Sequence, residues 1–433
     1  MTYHIVITLL MMVVIIVLLF KGVSSPGVIF SLVPIAAALL MGYAPSEVNT
    51  FIGDGIKSVG ATLFLMVFAV LYFGLLHEAG VFRALVQFVM RFLGNSVLGT
   101  LLITAVIGML TQLDGSGATT ALCTIPTVKP IYERQKIRTE ALLLVESLAS
   151  GVFCLLPWAP GLVEACSYVG VEVYDVFLFI LPLFVFSIVL IFLFCIPISF
   201  VEKRHGAGLS QEEFAELKES MHEPVELPLG KGVAIFDGIF TVALMALLLA
   251  GKLPSNMSFA FGYAVLLLVN FPNPKKQAEY MKKQASMALN MAFTMLGVAV
   301  LVGVKNGTGA LGELAVWLSG NDSTDILSHL PFILCVFSML LSITIGGAKN
   351  SVVLPAIIPL VEPFGFTAVQ VLGAVFATGI ISANLSLFNA TPYLALGLAN
   401  VEMKDHLKYS LLPVYGFSLL MLAFMVVTGM LPL

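Results

Sequence analysis

The chain has 433 residues, of which 59% are hydrophobic and only 11% are charged, and its formal net charge is -4. Together with a mean hydropathy of +1.04, this composition excludes an ordinary soluble domain and predicts a polytopic membrane protein. The chain has no basic patch with interleaved aromatic residues, which argues against nucleic acid as a partner.

Apolar runs along the chain predict ten membrane-spanning segments. They lie near residues 4–20, 25–43, 59–78, 140–163 and 176–199, and then near 233–251, 256–271, 286–304, 367–388 and 409–430. The first run has no small-residue cleavage site, so we interpret it as a span rather than a removed signal. Polar interruptions predict re-entrant hairpins over 96–132 and 324–361, and the shorter mixed stretches 81–94 and 309–320 predict interfacial helices.

A constant offset of 229 residues lays the second half of the chain on the first. It places Pro355 on Pro126 and Pro359 on Pro130, and it aligns the two hairpins. Five spans in each half require the second copy to be inverted, as in many secondary transporters. We therefore predict an all-α fold with a first repeat over 1–200, a cytoplasmic linker over 201–232 and an inverted second repeat over 233–433.

The distribution of lysine and arginine predicts the orientation in the membrane, because cytoplasmic loops are enriched in both. With both termini extracytoplasmic, hairpin one opens from the cytoplasm and hairpin two from outside, and the protein is a multi-pass protein of the inner or plasma membrane. Only Lys57, Lys252 and Lys305 then lie outside, whereas the cytoplasmic side receives Arg83, Arg91, Arg134, Lys136, Arg138, Lys203, Arg204, Lys275, Lys276, Lys282, Lys283, Lys404 and Lys408.

The tip of hairpin one is polar and rich in glycine, with the sequence LDGSGATT. Irregular backbone at membrane depth is tolerated where it lines a cavity, and free N-H groups at the start of a half-helix favour an anion. Ser116, Gly117, Thr119 and Thr120 are therefore candidate substrate-binding residues. Asp114 is either a site for a coupling cation or proton, or a structural helix cap.

The fourth span contains an interruption at 157–161 and a carboxylate upstream of it. Two prolines remove helical hydrogen bonds there, so Pro157 and Trp158 either border the cavity or mark a simple kink. Glu146 lies deep in the same span. It is either a proton carrier or a buried carboxylate that accepts hydrogen bonds from nearby serines.

The second repeat supplies a tip with the sequence GGAKNS and an irregular stretch over 382–392. Small hydroxyl and amide side chains there suit hydrogen bonds to carboxylates, or ligation of Na+. The candidate substrate-binding residues are Lys349, Asn350, Ser351, Asn389 and Thr391. Lys349 has four alternative roles. Its ammonium group either binds a substrate carboxylate, neutralises Asp114, takes the place of a coupling cation, or extends to the membrane interface.

Four motifs together resemble the citrate/divalent-metal symporter family (CitMHS) of the ion transporter superfamily. They are LDGSGATT, IPTVKP, LLPW and ATPYLALGLANVEMKDH, and the resemblance covers nearly the whole chain. It implies a proton-coupled carrier of citrate or a related carboxylate, often as a metal complex, with an elevator-like transport domain and usually a homodimer. On matching positions it assigns to the site Asp114, Gly115, Gly117, Ala118, Thr119, Thr120, Pro157, Trp158, Lys349, Asn350, Asn389, Thr391 and Pro392.

The chain departs from the pattern of this family at several of these positions. Ser116 stands where the family tends to have a second aspartate, Ala159 and Pro160 replace two glycines, and the second tip has Lys349 but no acid. Fewer carboxylates weaken a site for a divalent cation. We therefore assign no metal ligands and no cofactor, although Mg2+ or Ca2+ that travels with the substrate stays an alternative to free di- or tricarboxylate.

The predicted function is secondary active transport of citrate or a related di- or tricarboxylate, coupled to protons. The alternatives are a sodium/proton antiporter of the same superfamily and a Na+-coupled carboxylate carrier. An enzyme is not expected, because the chain has no H-E-x-x-H, G-x-S-x-G or phosphate-loop motif. The predicted partners are the organic anion, protons or Na+, the lipid bilayer and a second copy of the chain.

Overall fold

The fold is described from a computed structural model, which describes residues 3–21, 23–210, 212–214, 216, 227–309, 327–347, 349–386 and 389–432. Secondary structure in these ranges is helical, and they contain no strand. The first half comprises α1 (Tyr3–Phe20), α2 (Pro26–Leu40), α3 (Pro45–Glu78), α4 (Val81–Met90), α5 (Val97–Thr111), α6 (Gly117–Arg134), α7 (Thr139–Phe153), α8 (Pro160–Val169) and α9 (Val173–Arg204).

The second half repeats the order of the first. It comprises α10 (Lys231–Leu249), α11 (Ser255–Asn270), α12 (Pro274–Thr308), α13 (Leu330–Ile345), a π-helical turn (Lys349–Val353), α14 (Leu354–Val361), α15 (Ala368–Ile380), α16 (Ala390–Ala399) and α17 (Met403–Val427). Within the described ranges, six helical segments are long and apolar enough to cross a membrane by length and composition. Five of them overlap predicted spans, and the sixth, Val97–Asp114, is the first limb of hairpin one. The predicted interfacial stretch 310–320 and the start of hairpin two at 324–326 lie outside the described residues.

Outside the hairpins, equivalent helices of the two halves begin within one residue of each other after the 229-residue shift. Shifted by 229, the range 45–78 of α3 becomes 274–307, and α12 spans Pro274–Thr308. The range 26–40 of α2 becomes 255–269, and α11 spans Ser255–Asn270. The repeat inferred from the hairpin motifs therefore extends through the flanking helices.

The two repeats are inverted relative to each other. A Cβ atom added to Gly55 of α3 would lie 2.9 Å from Gly303 Cα of α12, and one added to Gly74 would lie 2.9 Å from Gln284 Oε1. Gly55 thus faces Gly303, and Gly74, further along α3, faces the earlier residue Gln284 of α12. The chain therefore runs in opposite directions in these two equivalent helices, which are antiparallel. Antiparallel equivalents require a pseudo-two-fold axis in the membrane plane.

The helices form two groups. Helices α1–α3 and α10–α12 pack on one another and are named the scaffold; α5–α9 and α13–α17 pack around the hairpins and are named the hairpin bundle. Helix α4 connects the groups and contacts α10. Within the bundle, the buried Glu202 carboxylate accepts hydrogen bonds from Arg138 Nη2 at 2.7 Å and from the Tyr409 hydroxyl at 2.8 Å, which joins α9 to the starts of α7 and α17.

Two predicted spans are each divided into separate helices. The span 140–163 consists of α7 and α8 with a non-helical break over 154–159. In the span 367–388, α15 ends at Ile380 and a 3-10 turn over Ala383–Leu385 follows. In the linker, the Ser210 amide donates to Glu213 Oε2 at 2.8 Å and the Glu213 amide donates to Ser210 Oγ at 3.2 Å. These reciprocal bonds form a capping box. Residues 211, 215 and 217–226 lie outside the described part of the chain.

Candidate functional site

The tip of hairpin one is a short turn between α5 and α6. A 3-10 turn over Gln112–Asp114 leads to Gly115, whose φ of +72° lies in the left-handed region that favours glycine. Asp114 Oδ1 accepts a hydrogen bond from the Ser116 amide at 2.7 Å, and the Thr119 side chain also hydrogen-bonds the carboxylate. The Asp114 carboxylate is thus held at the N-terminus of α6, as a cap would be.

Thr120 supports the tip from inside the hairpin. Its buried hydroxyl donates to Gln112 Oε1 at 2.6 Å, and Gln112 Nε2 lies 3.3 Å from Cys154 Sγ at the end of α7. The Thr120 hydroxyl is therefore engaged within the hairpin rather than directed toward a ligand.

The tip of hairpin one packs directly on the break between α7 and α8. Trp158 Nε1 donates to the Leu113 carbonyl at 2.7 Å, and the buried indole ring packs against Phe259 of the scaffold. A Cβ atom on Gly115 would contact Pro160 Cδ and lie 3.3 Å from Ala159 Cα. Pro157 is buried as well. Pro157 and Trp158 therefore shape and fix the tip.

The same tip also contacts the break of the second repeat. A Cβ atom on Gly117 would lie 2.7 Å from Thr391 Cγ2, in the first turn of α16. Since Gly117 begins α6 and Pro160 begins α8, the N-termini of α6, α8 and α16 meet at tip one. Helix N-termini carry partial positive charge, so this arrangement favours an anion.

The second tip faces the second break in a similar way. Gly346 has a φ of +52°, and its Cβ position lies 3.6 Å from Asn389 Oδ1 and 3.8 Å from Ser386 Oγ. Ser351 is buried and its hydroxyl donates to the Gly347 carbonyl at 3.3 Å. Asn350 Oδ1 is buried and has no hydrogen-bond partner within the described ranges. Ala348, Leu387 and Phe388 lie outside those ranges.

The Lys349 side chain is buried against α15 of its own repeat. Its side chain is only 2% exposed, and Nζ donates to the Val375 carbonyl of α15 at 3.3 Å. The structure therefore does not bring its ammonium group to Asp114, and it does not leave the group free to extend to the membrane interface.

Glu146 connects the two repeats. The side chain is 1% exposed, and Oε2 accepts a hydrogen bond from Asn384 Nδ2 at 3.1 Å; the same amide also donates to Ser150 Oγ at 2.9 Å. Glu146 Oε1 is buried and has no partner in the described part of the structure. Asn384 was not singled out from the sequence, although its position in the irregular stretch 382–392 was the available signal.

Exposure divides the sequence-predicted site residues into two groups. Those buried behind the tips are Thr120, Glu146, Pro157, Trp158, Lys349 and Ser351, whereas those partly exposed at the tips are Asp114, Ser116, Gly117, Thr119, Asn350, Asn389 and Thr391. The second group is the one available for direct contact with a ligand. Within the described ranges, no group of three or more His, Cys, Asp or Glu side chains is arranged to hold a metal ion.

Comparison with known proteins agrees with this architecture. The crystal structure of the Alcanivorax borkumensis YdaH transporter, reported to have an unusual topology, has a similar fold, with a TM-score of 0.59 at 18% identity over 88% of this chain and 89% of that one.

Two curated relatives come from Bacillus subtilis (strain 168). A citrate transporter is 27% identical over 394 residues, 90% of each chain, and a Mg(2+)/citrate complex secondary transporter is 24% identical over 381 residues, 88% of each. The sequence model of the citrate transporter family (CitMHS) matches residues 1–282. Because this match covers well over half of the 433 residues, the chain belongs to the citrate transporter family.

Proposed function

We propose that this membrane transporter carries citrate or a related di- or tricarboxylate in symport with protons, by elevator-type alternating access. The observation that carries the proposal is the meeting of three helix N-termini at tip one, where Gly115 contacts α8 and Gly117 contacts α16. Backbone N-H groups and small hydroxyl side chains at such a point suit carboxylate oxygens. The carboxylate ligand would lie between the partly exposed residues of the tips.

Two carboxylates are the proposed proton carriers. Asp114 lies in the tip itself, beside the N-terminus of α6. Glu146 lies behind the tip and binds Asn384 of the other repeat, so a change in its protonation alters a contact between the two halves of the site. Ionisable groups buried in membrane proteins commonly serve as proton relays.

The proposed motion is a displacement of the hairpin bundle against the scaffold. Specific contacts across this boundary include the Trp158–Phe259 ring pair, the edge-on packing of Tyr168 on Phe30 and a 2.8 Å hydrogen bond from Lys305 Nζ to the Tyr168 carbonyl. Few directed contacts of this kind need to break during a rigid-body movement. A homodimer joined through the scaffold would hold that half still while the bundle moves.

The form of the substrate follows from the charges at the tips. Asp114 is the only acid in residues 112–120 and 346–351, the two tips. No carboxylate is provided by Ser116, Ala159 or Pro160. A divalent cation prefers several carboxylate oxygens. We therefore propose the free carboxylate as substrate, whereas the relative at 24% identity is named for a Mg(2+)/citrate complex.

The test is uptake of labelled citrate into proteoliposomes with an imposed pH gradient, with and without Mg2+ or Ca2+, and with unlabelled succinate as competitor. We expect uptake that requires the pH gradient but not the metal. Glu146→Gln should lose accumulation driven by the gradient and keep exchange of labelled for unlabelled citrate. Uptake only with a divalent metal would contradict the free-carboxylate proposal, and uptake driven by Na+ alone would contradict proton coupling.

A further inference from the structure

Lys349 is a buried cation without an acidic partner in the described part of the chain. None of the salt bridges found there involves it, and the titratable group that faces it is the Cys335 thiol. Its hydrogen bond goes to the Val375 carbonyl of α15. A charge buried at membrane depth is costly, so a lysine surrounded by neutral groups requires an explanation.

Neutral oxygen atoms line the space that the ammonium group occupies. A Cβ atom placed on Gly379 would contact Lys349 Nζ. That Cβ position also lies 2.8 Å from Ser342 Oγ and 3.1 Å from the Ser338 carbonyl oxygen. With the Val375 carbonyl, three oxygens from α13 and α15 therefore border one small pocket. Glycine at position 379 leaves the room that Nζ needs.

The first repeat has a different arrangement at the equivalent positions. The 229-residue offset places Lys349 on Thr120 and Val375 on Glu146. The side chains of the first repeat are thus a hydroxyl and a buried carboxylate, where those of the second are an ammonium group and an apolar valine. The acid that can exchange a cation or proton is in the first repeat, whereas the second repeat has an amino group that is covalently attached to the chain.

We propose that the Lys349 ammonium group fills a monovalent-cation site of the second repeat, so that transport needs no exchangeable cation there. In its absence, the Val375 and Ser338 carbonyls and the Ser342 hydroxyl form a site for Na+. Backbone carbonyls beside broken helices are common ligands for Na+ in secondary carriers. The inference rests on the proposed carrier function and specifies how many coupling cations its site can exchange.

The experiment replaces Lys349 by the residue found at the equivalent position of the first repeat. Lys349→Thr and wild type are compared by thermal unfolding of the purified protein in NaCl and in choline chloride, without citrate. We expect Na+ to raise the Tm of Lys349→Thr by about 2 °C or more and to leave wild type unchanged. In proteoliposomes, uptake by Lys349→Thr should rise about tenfold or more when Na+ replaces choline.

Two further variants serve as controls. Lys129 also donates to a backbone carbonyl, that of Leu398 at 3.2 Å, but it lies at the far end of hairpin one; Lys129→Thr should show no response to Na+. Lys349→Arg keeps the positive charge and should also show none.

The possible outcomes separate this inference from the proposed function. Equal Tm values of Lys349→Thr in NaCl and choline chloride would overturn the cation site, because that measurement uses no citrate. Na+-stimulated uptake or Na+ stabilisation of wild type would overturn it as well, even if Lys349→Thr does not fold. Absence of citrate uptake by wild type would count against the carrier proposal and not against the cation site.

Discussion

Gly117→Ala should weaken the contact between the start of α6, in the first repeat, and α16, in the second. The added Cβ would lie 2.7 Å from Thr391 Cγ2, closer than carbon atoms normally approach. The backbone at Gly117 is helical, so alanine is tolerated by the local conformation. The expected defect therefore arises from the contact with α16 and not from strain within α6.

The magnitude follows from two opposing effects. An extra methyl group in a packed contact costs about 1–3 kcal/mol, while replacing glycine by alanine in a helix gains at most about 1 kcal/mol. The net loss of up to about 2 kcal/mol lowers the population of the closely packed tip by a factor of up to roughly 30. Citrate binding and uptake should fall by a similar factor.

Thr391→Ser provides the rescue. Serine removes Cγ2, and the remaining Thr391 atoms near the new Cβ lie at 3.7 and 3.9 Å, which are ordinary contact distances. The double variant Gly117→Ala/Thr391→Ser should therefore recover most of the lost uptake, while Thr391→Ser alone loses about one buried methyl group, roughly 0.8 kcal/mol. Gly161→Ala is the matched control, because its Cβ would lie 3.5 Å from Phe376 Cζ without overlap.

The assay is citrate uptake and thermal unfolding of all four variants, analysed as a double-mutant cycle. A double variant no better than Gly117→Ala, or a Gly117→Ala protein with wild-type uptake, would refute the contact between tip one and α16.

Three further substitutions test individual contacts. Trp158→Phe leaves the Leu113 carbonyl without its indole donor, so the Tm should fall by an amount corresponding to about 1–3 kcal/mol; an unchanged Tm would show that this bond does not hold the tip. Glu202→Gln removes the charged partner of Arg138 and should destabilise the hairpin bundle by about 1–2 kcal/mol, measured by thermal unfolding, because solvent screens an arginine side chain that is 38% exposed; a loss below about 0.5 kcal/mol would contradict this role. Asp114→Asn keeps an oxygen acceptor for the Ser116 amide, so the fold should persist while proton-driven uptake is lost; normal pH-driven uptake by this variant would remove Asp114 from the coupling.

The sequence was sufficient to predict the inverted repeat because the same register recurs along both halves. Prolines at equivalent positions in the hairpins define an offset, and the helices that flank the hairpins begin within one residue of the positions it gives. Long apolar helices depend mainly on local composition and length, which one sequence displays directly.

The exact divisions of the broken helices were harder to predict. Hydropathy is uniformly high across residues 140–163, so the run resembled one span, whereas α7 ends at Phe153 and α8 begins at Pro160. The break starts three residues before Pro157, because the Trp158 and Gly115 contacts with hairpin one determine where regular structure stops. Such contacts join residues distant in the sequence.

Side-chain directions were the least predictable part of the site. Lys349 and Thr120 were both expected to face the ligand, but each turns into its own repeat, where an acceptor oxygen is available. The partnership of Glu146 with Asn384 spans 238 residues and depends on how α7 meets the second break. No local pattern encodes a contact of that kind.

The most direct test of the proposed site is protection of position 391 by citrate. Thr391→Cys, made in a protein whose five native cysteines are replaced, is labelled with a thiol reagent in the presence and absence of citrate. Lys57→Cys, at an exposed position of α3, is the control. We expect saturating citrate to slow labelling at position 391 about tenfold or more and to leave labelling at position 57 unchanged. Equal labelling rates at position 391 with and without citrate would contradict a carboxylate site between the hairpin tips and the broken helices.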